Sequence, residues 1–148
     1  MKVLEDTPAG EKTVLRVVPA RIQLPWGLVG LREYTQAELF HLPDQLPLRW
    51  LRLVGEPSLD FVVVEPVGLI ADYVPELFDE DAAAIGLESA DDALVLNIVT
   101  VNRDEPVTAT VNLVGPIVVN WKTKIGRQVI LANHGRFNAR HPLLGAAG

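Results

Sequence analysis

Residues 73–92, YVPELFDEDAAAIGLESADD, carry seven carboxylates and no basic side chain. Acids gathered this way can hold a hard cation, perform acid–base chemistry, attract a basic macromolecule, or keep a surface hydrated. Spacing argues against the first two. A calcium loop wants acids at alternate positions, a glycine at the sixth and a glutamate at the twelfth. Counted from Asp79, the sixth position is Ala84 and the twelfth is Ala90. Asp79, Glu80 and Asp81 are consecutive, so at most two of them share a helix face. His134 and His141 are seven residues apart in a stretch without helical signal, and His41 is distant from both. The two serines, Ser58 and Ser89, stand in no strand–turn–helix elbow. GLVGL at residues 27–31 lacks the lysine of a phosphate-cradling loop. With no cysteine, a disulfide scaffold and a thiolate metal site are excluded. The expectation is a protein without catalytic residues, cofactor or metal. A metal-assisted hydrolase using the acidic segment at residues 72–92 is the alternative from another class.

The wider charge distribution favours a binding role. Net charge is −6, and residues 53–102 hold eleven acids and no Lys or Arg. From residue 106 to the C-terminus the order reverses, with five basic residues and no acid. If these stretches map to separate surfaces, the protein has an acidic face, which repels nucleic acid and speeds encounter with a cationic protein. NWKTKIGR at residues 120–127 resembles a nucleic-acid patch in isolation, but in an acidic chain it reads as a charged hairpin edge. The first residues, MKVLEDTPAGEK, contain acids and no apolar core, and no apolar run reaches membrane-spanning length. A cytoplasmic location is expected.

The elements that must position these residues are mostly strands. The length, 148 residues, fits one domain over residues 1–148, with an ordered core over about 12–143 and short tails. β-rich runs occur at residues 12–20, 48–54, 60–66, 107–114, 116–121 and 127–132. ALVLNIVTV at residues 93–101 is apolar enough to be buried on both faces. In residues 107–114, Val107, Ala109, Val111 and Leu113 point one way, and Thr108, Thr110 and Asn112 the other. KTKIG supplies a glycine for the turn before the last of these runs. Two segments read as helices. Residues 35–42 have Thr35 and Glu38 at capping-box spacing. Residues 79–86 have Asp79 as N-cap, three alanines, and Gly86 just past the end. The prolines at 25, 43, 47, 57, 66, 106 and 116 lie at candidate turns. The fold expected is a small antiparallel β-barrel-like domain with one or two short helices.

In chain order, PWGLVGL, WLRLVGEPSLDFVVVEP, the acidic segment with LNIVT, TVNLVGPIVVNWKTKIGRQVIL and a terminal RHPL resemble the bacterial flagellar assembly factor FliW family. The resemblance runs from about residue 25 to 143 and is tightest over residues 94–100 and 110–131. Val29 and Leu31 stand where the family pattern has Pro and Phe, and Trp121 where it has a small or polar residue. Membership implies a non-catalytic β-barrel that binds CsrA, a dimeric RNA-binding regulator, and relieves its repression of flagellin translation without competing for RNA. It also implies binding to flagellin as a chaperone, in a partner switch; a flagellin chaperone without the regulator is the narrower alternative. The residues themselves nominate a docking surface in which apolar anchors are interleaved with acids: Asp72, Tyr73, Glu76, Leu77, Asp79, Glu80 and Asp81. Asn97 and Asn120, between apolar strand neighbours, either pin a loop or face a partner. Leu77 and Phe78 can also pack the helix, and of the two Phe78 is the one read as core.

Overall fold

The computed structural model describes residues 1–4 and 18–144. The strands are β1 (Ala20–Gln23), β2 (Gln36–Phe40), β3 (Arg49–Leu53), β4 (Leu59–Val64), β5 (Ala93–Asn102), β6 (Thr108–Val111), β7 (Ile117–Asn120), β8 (Ile125–Gln128) and β9 (His141–Leu144), with one helix, α1 (Asp79–Ala84), between β4 and β5. Single 3₁₀ turns occupy Ala90–Asp92 and His134–Arg136. β1 to β4 form an antiparallel meander, and β4 pairs with β5. The first half of β5 (residues 93–96) pairs with β7 and its second half (residues 99–102) with β6. β7 turns back into β8, which meets β1 in parallel at one pair, Gln23 with Ile125. Seven strands, β1 to β5 with β7 and β8, thereby close a ring, while β6 and β9 extend one wall.

β5 shows why the ring needs a cover. Its side chains alternate between two apolar clusters. Leu94 and Leu96 join Ile22, Leu39, Leu51, Val63 and Ile117 inside the barrel. Ala93, Val95 and Val99 join Val64, Val111, Val118, Tyr73, Leu77 and Ile85 on the outer side. Each fully buried Leu or Ile contributes about 1.5–3 kcal/mol relative to exposure. An outer wall this apolar must therefore be covered, and residues 70–92 together with 129–137 cover it. The two-sided burial expected of residues 93–101 holds through Val99 and fails at Thr100 and Val101, which are exposed.

Four expectations are corrected. Residues 35–42 are not helical: β2 pairs on both edges, and Ala37 and Leu39 are buried in strand alternation. A capping box is worth about 1 kcal/mol, less than burial of Leu39 alone, and the Thr35 carbonyl accepts from Leu24 N–H at 2.8 Å as part of the barrel. In the β7–β8 turn the left-handed residue is Lys124, with φ of 62°, not a glycine. Its Nζ bonds the Trp121 carbonyl and sits 4.0 Å from the centre of that ring. Gly126 lies inside β8, where a Cβ would come within 3.0 Å of Val119 and 3.3 Å of Leu24. Val107 is exposed, so the inward row of its segment is Ala109, Val111 and Leu113. The strand expected at residues 127–132 is instead Ile125–Gln128, and residues 129–132 lie past its end. Residues 12–17 of the first expected strand lie outside the described residues. Trp121 is partly buried against the inner cluster.

Candidate functional site

The acidic segment is the cap on the barrel wall. Residues 73–77 run extended, so Tyr73, Pro75 and Leu77 point inward at period two. Neighbours on both sides hold this run. Val3 N–H donates to the Pro75 carbonyl (3.0 Å) and Ala132 N–H to that of Glu76 (2.8 Å). The Asn133 side chain completes the clasp, accepting from Glu76 N–H at 3.0 Å and donating to the Val74 carbonyl at 2.9 Å. The chain then enters α1, whose N-cap is Phe78, not Asp79, and whose side chain supplies no capping bond. Ala82 and Ile85, three residues apart, continue the inward face, and Gly86 adopts φ of 66° just past the helix end. Asn120 ties that end to β7: its Nδ2 donates to the carbonyls of Ile85 (3.0 Å) and Gly86 (3.1 Å), and its Oδ1 accepts from Lys122 N–H (3.1 Å).

Beneath the cap lies a buried polar chain. The Tyr73 hydroxyl donates to the Leu113 carbonyl at 2.8 Å and accepts from Asn97 Nδ2 at 3.1 Å, and the same amide donates to the Asn112 carbonyl at 2.9 Å. The Tyr73 ring meets Phe137 edge-on at 4.8 Å. Burial pushes the Tyr73 phenol up to about 12, against a smaller opposing effect of the Asn97 hydrogen bond.

The nine nominated residues therefore divide. Tyr73, Leu77, Asn97 and Asn120 are buried and hold the cap in place; they are not part of an open surface. Asp72, Asp79 and Glu80 are exposed, Glu76 and Asp81 half-buried. Glu88 and Asp91 extend the exposed set. Phe78 reverses its reading: it is 47% exposed and stands beside Asp79 and Glu80 as the aromatic of this face. Its neighbour Leu77 takes the core position because the extended run places every second residue inward. That period, Tyr73–Pro75–Leu77 followed by Ala82 and Ile85 at helical spacing, is the signal that distinguishes the two.

Acidic and basic stretches also meet. Arg127 lies 3.6 Å from Asp81, and Lys122 lies 3.5 Å from Asp92. The basic hairpin is thus partly neutralised by the cap, whereas Asp72, Glu80 and Glu88 have no ion pair among the described residues. Sequence reasoning missed a second feature. The Arg127 guanidinium stacks 4.7 Å over Trp26, at the rim of an open cleft of about 510 Å³. Among the described residues no group of three or more His, Asp or Glu is placed to hold a metal ion. No helix among them is long and apolar enough to cross a membrane.

Fold and surface together define a closed β-barrel with one wall capped by an acidic, aromatic-bearing segment. A family model described as FliW protein matches residues 5–143, and the chain belongs to that family of flagellar assembly factors. The flagellar assembly factor FliW of Natranaerobius thermophilus is 32% identical over 127 residues, covering 86% of this chain and 83% of the relative. That of Leptospira biflexa is 36% identical over 109 residues, covering 74% and 71%. A crystal structure of the flagellar assembly factor FliW superposes with a TM-score of 0.74 at 30% identity, covering 89% of this chain and 91% of that one.

Proposed function

We propose that this flagellar assembly factor acts in the cytoplasm by binding and without catalysis. Its acidic cap docks a CsrA-type RNA-binding regulator and relieves repression of flagellin synthesis, and it also binds flagellin as a chaperone. The observation that carries this reading is the exposed acids Asp72, Asp79, Glu80 and Glu88 and the half-exposed Phe78, all in a segment clasped to the barrel by Asn133 and Asn120. An RNA-binding regulator presents cationic surface, which such a face attracts at a distance. A half-exposed aromatic ring supplies the short-range anchor that charge alone does not. Because the cap is fixed by hydrogen bonds on both sides, little ordering is needed on binding.

The test is binding of the purified regulator to the wild type and to the triple variant Asp72→Lys, Glu76→Lys, Glu80→Lys, at low and high salt. Complex formation is expected to weaken steeply with salt, as screening shortens to about 8 Å at physiological ionic strength, and to be lost in the variant. A complex indifferent to both changes would remove the electrostatic basis. Co-purification with flagellin, done without the regulator, separates a chaperone acting alone from a protein that engages both partners.

A further inference from the structure

We propose that the cleft between the turn at residues 24–34 and β8 docks an extended acidic peptide segment of a partner protein. This site lies beside the acidic cap, joined to it by the Arg127–Asp81 ion pair, and uses none of the outward acids Asp72, Glu80 and Glu88. The cleft exists because the barrel closes weakly there. β1 and β8 share one parallel pair, Gln23 with Ile125, backed by Gln23 N–H to the Lys124 carbonyl at 2.7 Å. Past that pair the chains part, and the space of about 510 Å³ opens between them.

One wall is the end of β8, Arg127 and Gln128, and past that end the chain runs on through residues 129–131 beside the cleft's lining. Val129 and Leu131 donate their N–H groups to the carbonyls of Pro116 and Val114, toward β7. By the same alternation the N–H groups of Gln128 and Ile130 face the other way. The Ile130 N–H has no partner among the described residues, and that residue is 52% exposed. An added strand is the ordinary way to satisfy such a group. The other wall is a turn held in one shape. Gly27 N–H bonds the Leu24 carbonyl (2.8 Å) and Leu31 N–H that of Leu28 (2.8 Å), while Val29 N–H bonds Gln128 Oε1 (2.9 Å). Gly27 takes φ of 61° where a Cβ would collide with the Leu31 carbonyl at 2.4 Å. Val29, 76% exposed at the tip of this turn, is presented to solvent.

Charge selects the occupant. The chain carries −6, yet the cleft is lined by two guanidiniums, Arg32 and Arg127, and no carboxylate is among its lining residues; Arg127 is already paired with Asp81 at 3.6 Å, so Arg32 is the charge left for a ligand. Arg32 has no ion pair among the described residues. Arg127 is held in place between Trp26 and Asp81. A guanidinium fork binds a carboxylate through two parallel hydrogen bonds, and Trp and Arg are the side chains most often found at binding hot spots. A segment alternating carboxylates with apolar residues meets all three features: a carboxylate on Arg32, apolar groups on Val29 and Trp26, main chain on the Ile130 N–H.

The test is a ¹H–¹⁵N titration of the full chain with the blocked peptide Ac-VDVEVDG-NH₂, alongside its lysine counterpart Ac-VKVKVKG-NH₂. The acidic peptide is expected to shift the amides of residues 27–32 and 128–130, and the lysine peptide to leave them in place. Arg32→Ala is expected to weaken the acidic peptide about tenfold, the loss of one charged contact, and Val29→Ser to weaken it as well. The spectrum of each variant reports its folding, so a misfolded variant is recognised and the other one read. The triple cap variant of the preceding section retains the peptide, which distinguishes failure of this site from failure of the cap. Absence of shifts at millimolar acidic peptide, equal response to the lysine peptide, or unchanged affinity in folded Arg32→Ala overturns the proposal.

Discussion

Among the acids of the cap, the residue with the sharpest physical signature is a tyrosine. Tyr73 is buried, its hydroxyl shared between Leu113 and Asn97, and its phenol is pushed up to about 12. A group whose protonated form is favoured by folding contributes stability that is intact below its unfolded value near 10 and is lost as pH rises through the folded value. The advantage of the wild type over Tyr73→Phe in urea unfolding should therefore be constant from pH 7 to 9. It should shrink between pH 10 and 12 by on the order of 1 kcal/mol per pH unit; a constant difference across that window would contradict the assignment. Asn120 gives a simpler expectation. Replacing it with alanine strands the Ile85 and Gly86 carbonyls at the helix end, a loss of about 1–3 kcal/mol readable as a fall of several degrees in thermal midpoint. At this scale the sequence identified the acids but not the direction of their neighbours. Asn97 and Asn120, whose sequence positions allow either pinning or recognition, are buried and hydrogen-bond within the chain.

Elements were legible where side-chain period and tertiary demand agreed. The apolar run of β5 is buried on both faces as far as Val99, where the barrel lies on one side and the cap on the other; Thr100 and Val101 run out into solvent. The alanines of α1 and Gly86 marked the helix and its end, although the true N-cap is one residue earlier. β2 was not legible, because Thr35 and Glu38 imitate a capping box, and the barrel's pairing on both edges of residues 36–40 is invisible locally. The cleft was hidden for a similar reason: Trp26 and Arg127 are about a hundred residues apart in sequence. The uncapped start of α1 yields an element-scale prediction. Phe78 has extended backbone, φ −62° and ψ 144°, the conformation a capping serine adopts. Phe78→Ala loses the half-buried ring, whereas Phe78→Ser loses the ring and gains a capping acceptor. The serine variant should be more stable than the alanine variant by about 1 kcal/mol in chemical unfolding. If Phe78 is the anchor of the proposed docking surface, both should bind the regulator more weakly than the wild type to a similar extent. Equal stability of the two would show that the helix start is satisfied in another way.

For the molecule as a whole, charge and anchoring should separate in time. The barrel and its clasped cap provide a fixed surface on which Asp72, Glu80 and Glu88 stand without ion pairs among the described residues, so their field acts before contact. Long-range attraction raises the rate of encounter, while desolvated contacts govern how long a complex lasts. Neutralising those three acids together, as Asp72→Asn, Glu80→Gln and Glu88→Gln, keeps their size and leaves the ion pairs Asp81–Arg127 and Asp92–Lys122 in place. Measured by surface plasmon resonance against the regulator at low ionic strength, this variant should associate about tenfold more slowly or less, with dissociation little changed. Its association should also depend less on salt than that of the wild type. Phe78→Ala should show the reverse, with association nearly unaltered and dissociation faster. If the neutralised variant instead dissociates faster at an unchanged association rate, these carboxylates make direct contacts in the complex, and the long-range role assigned to the cap is wrong.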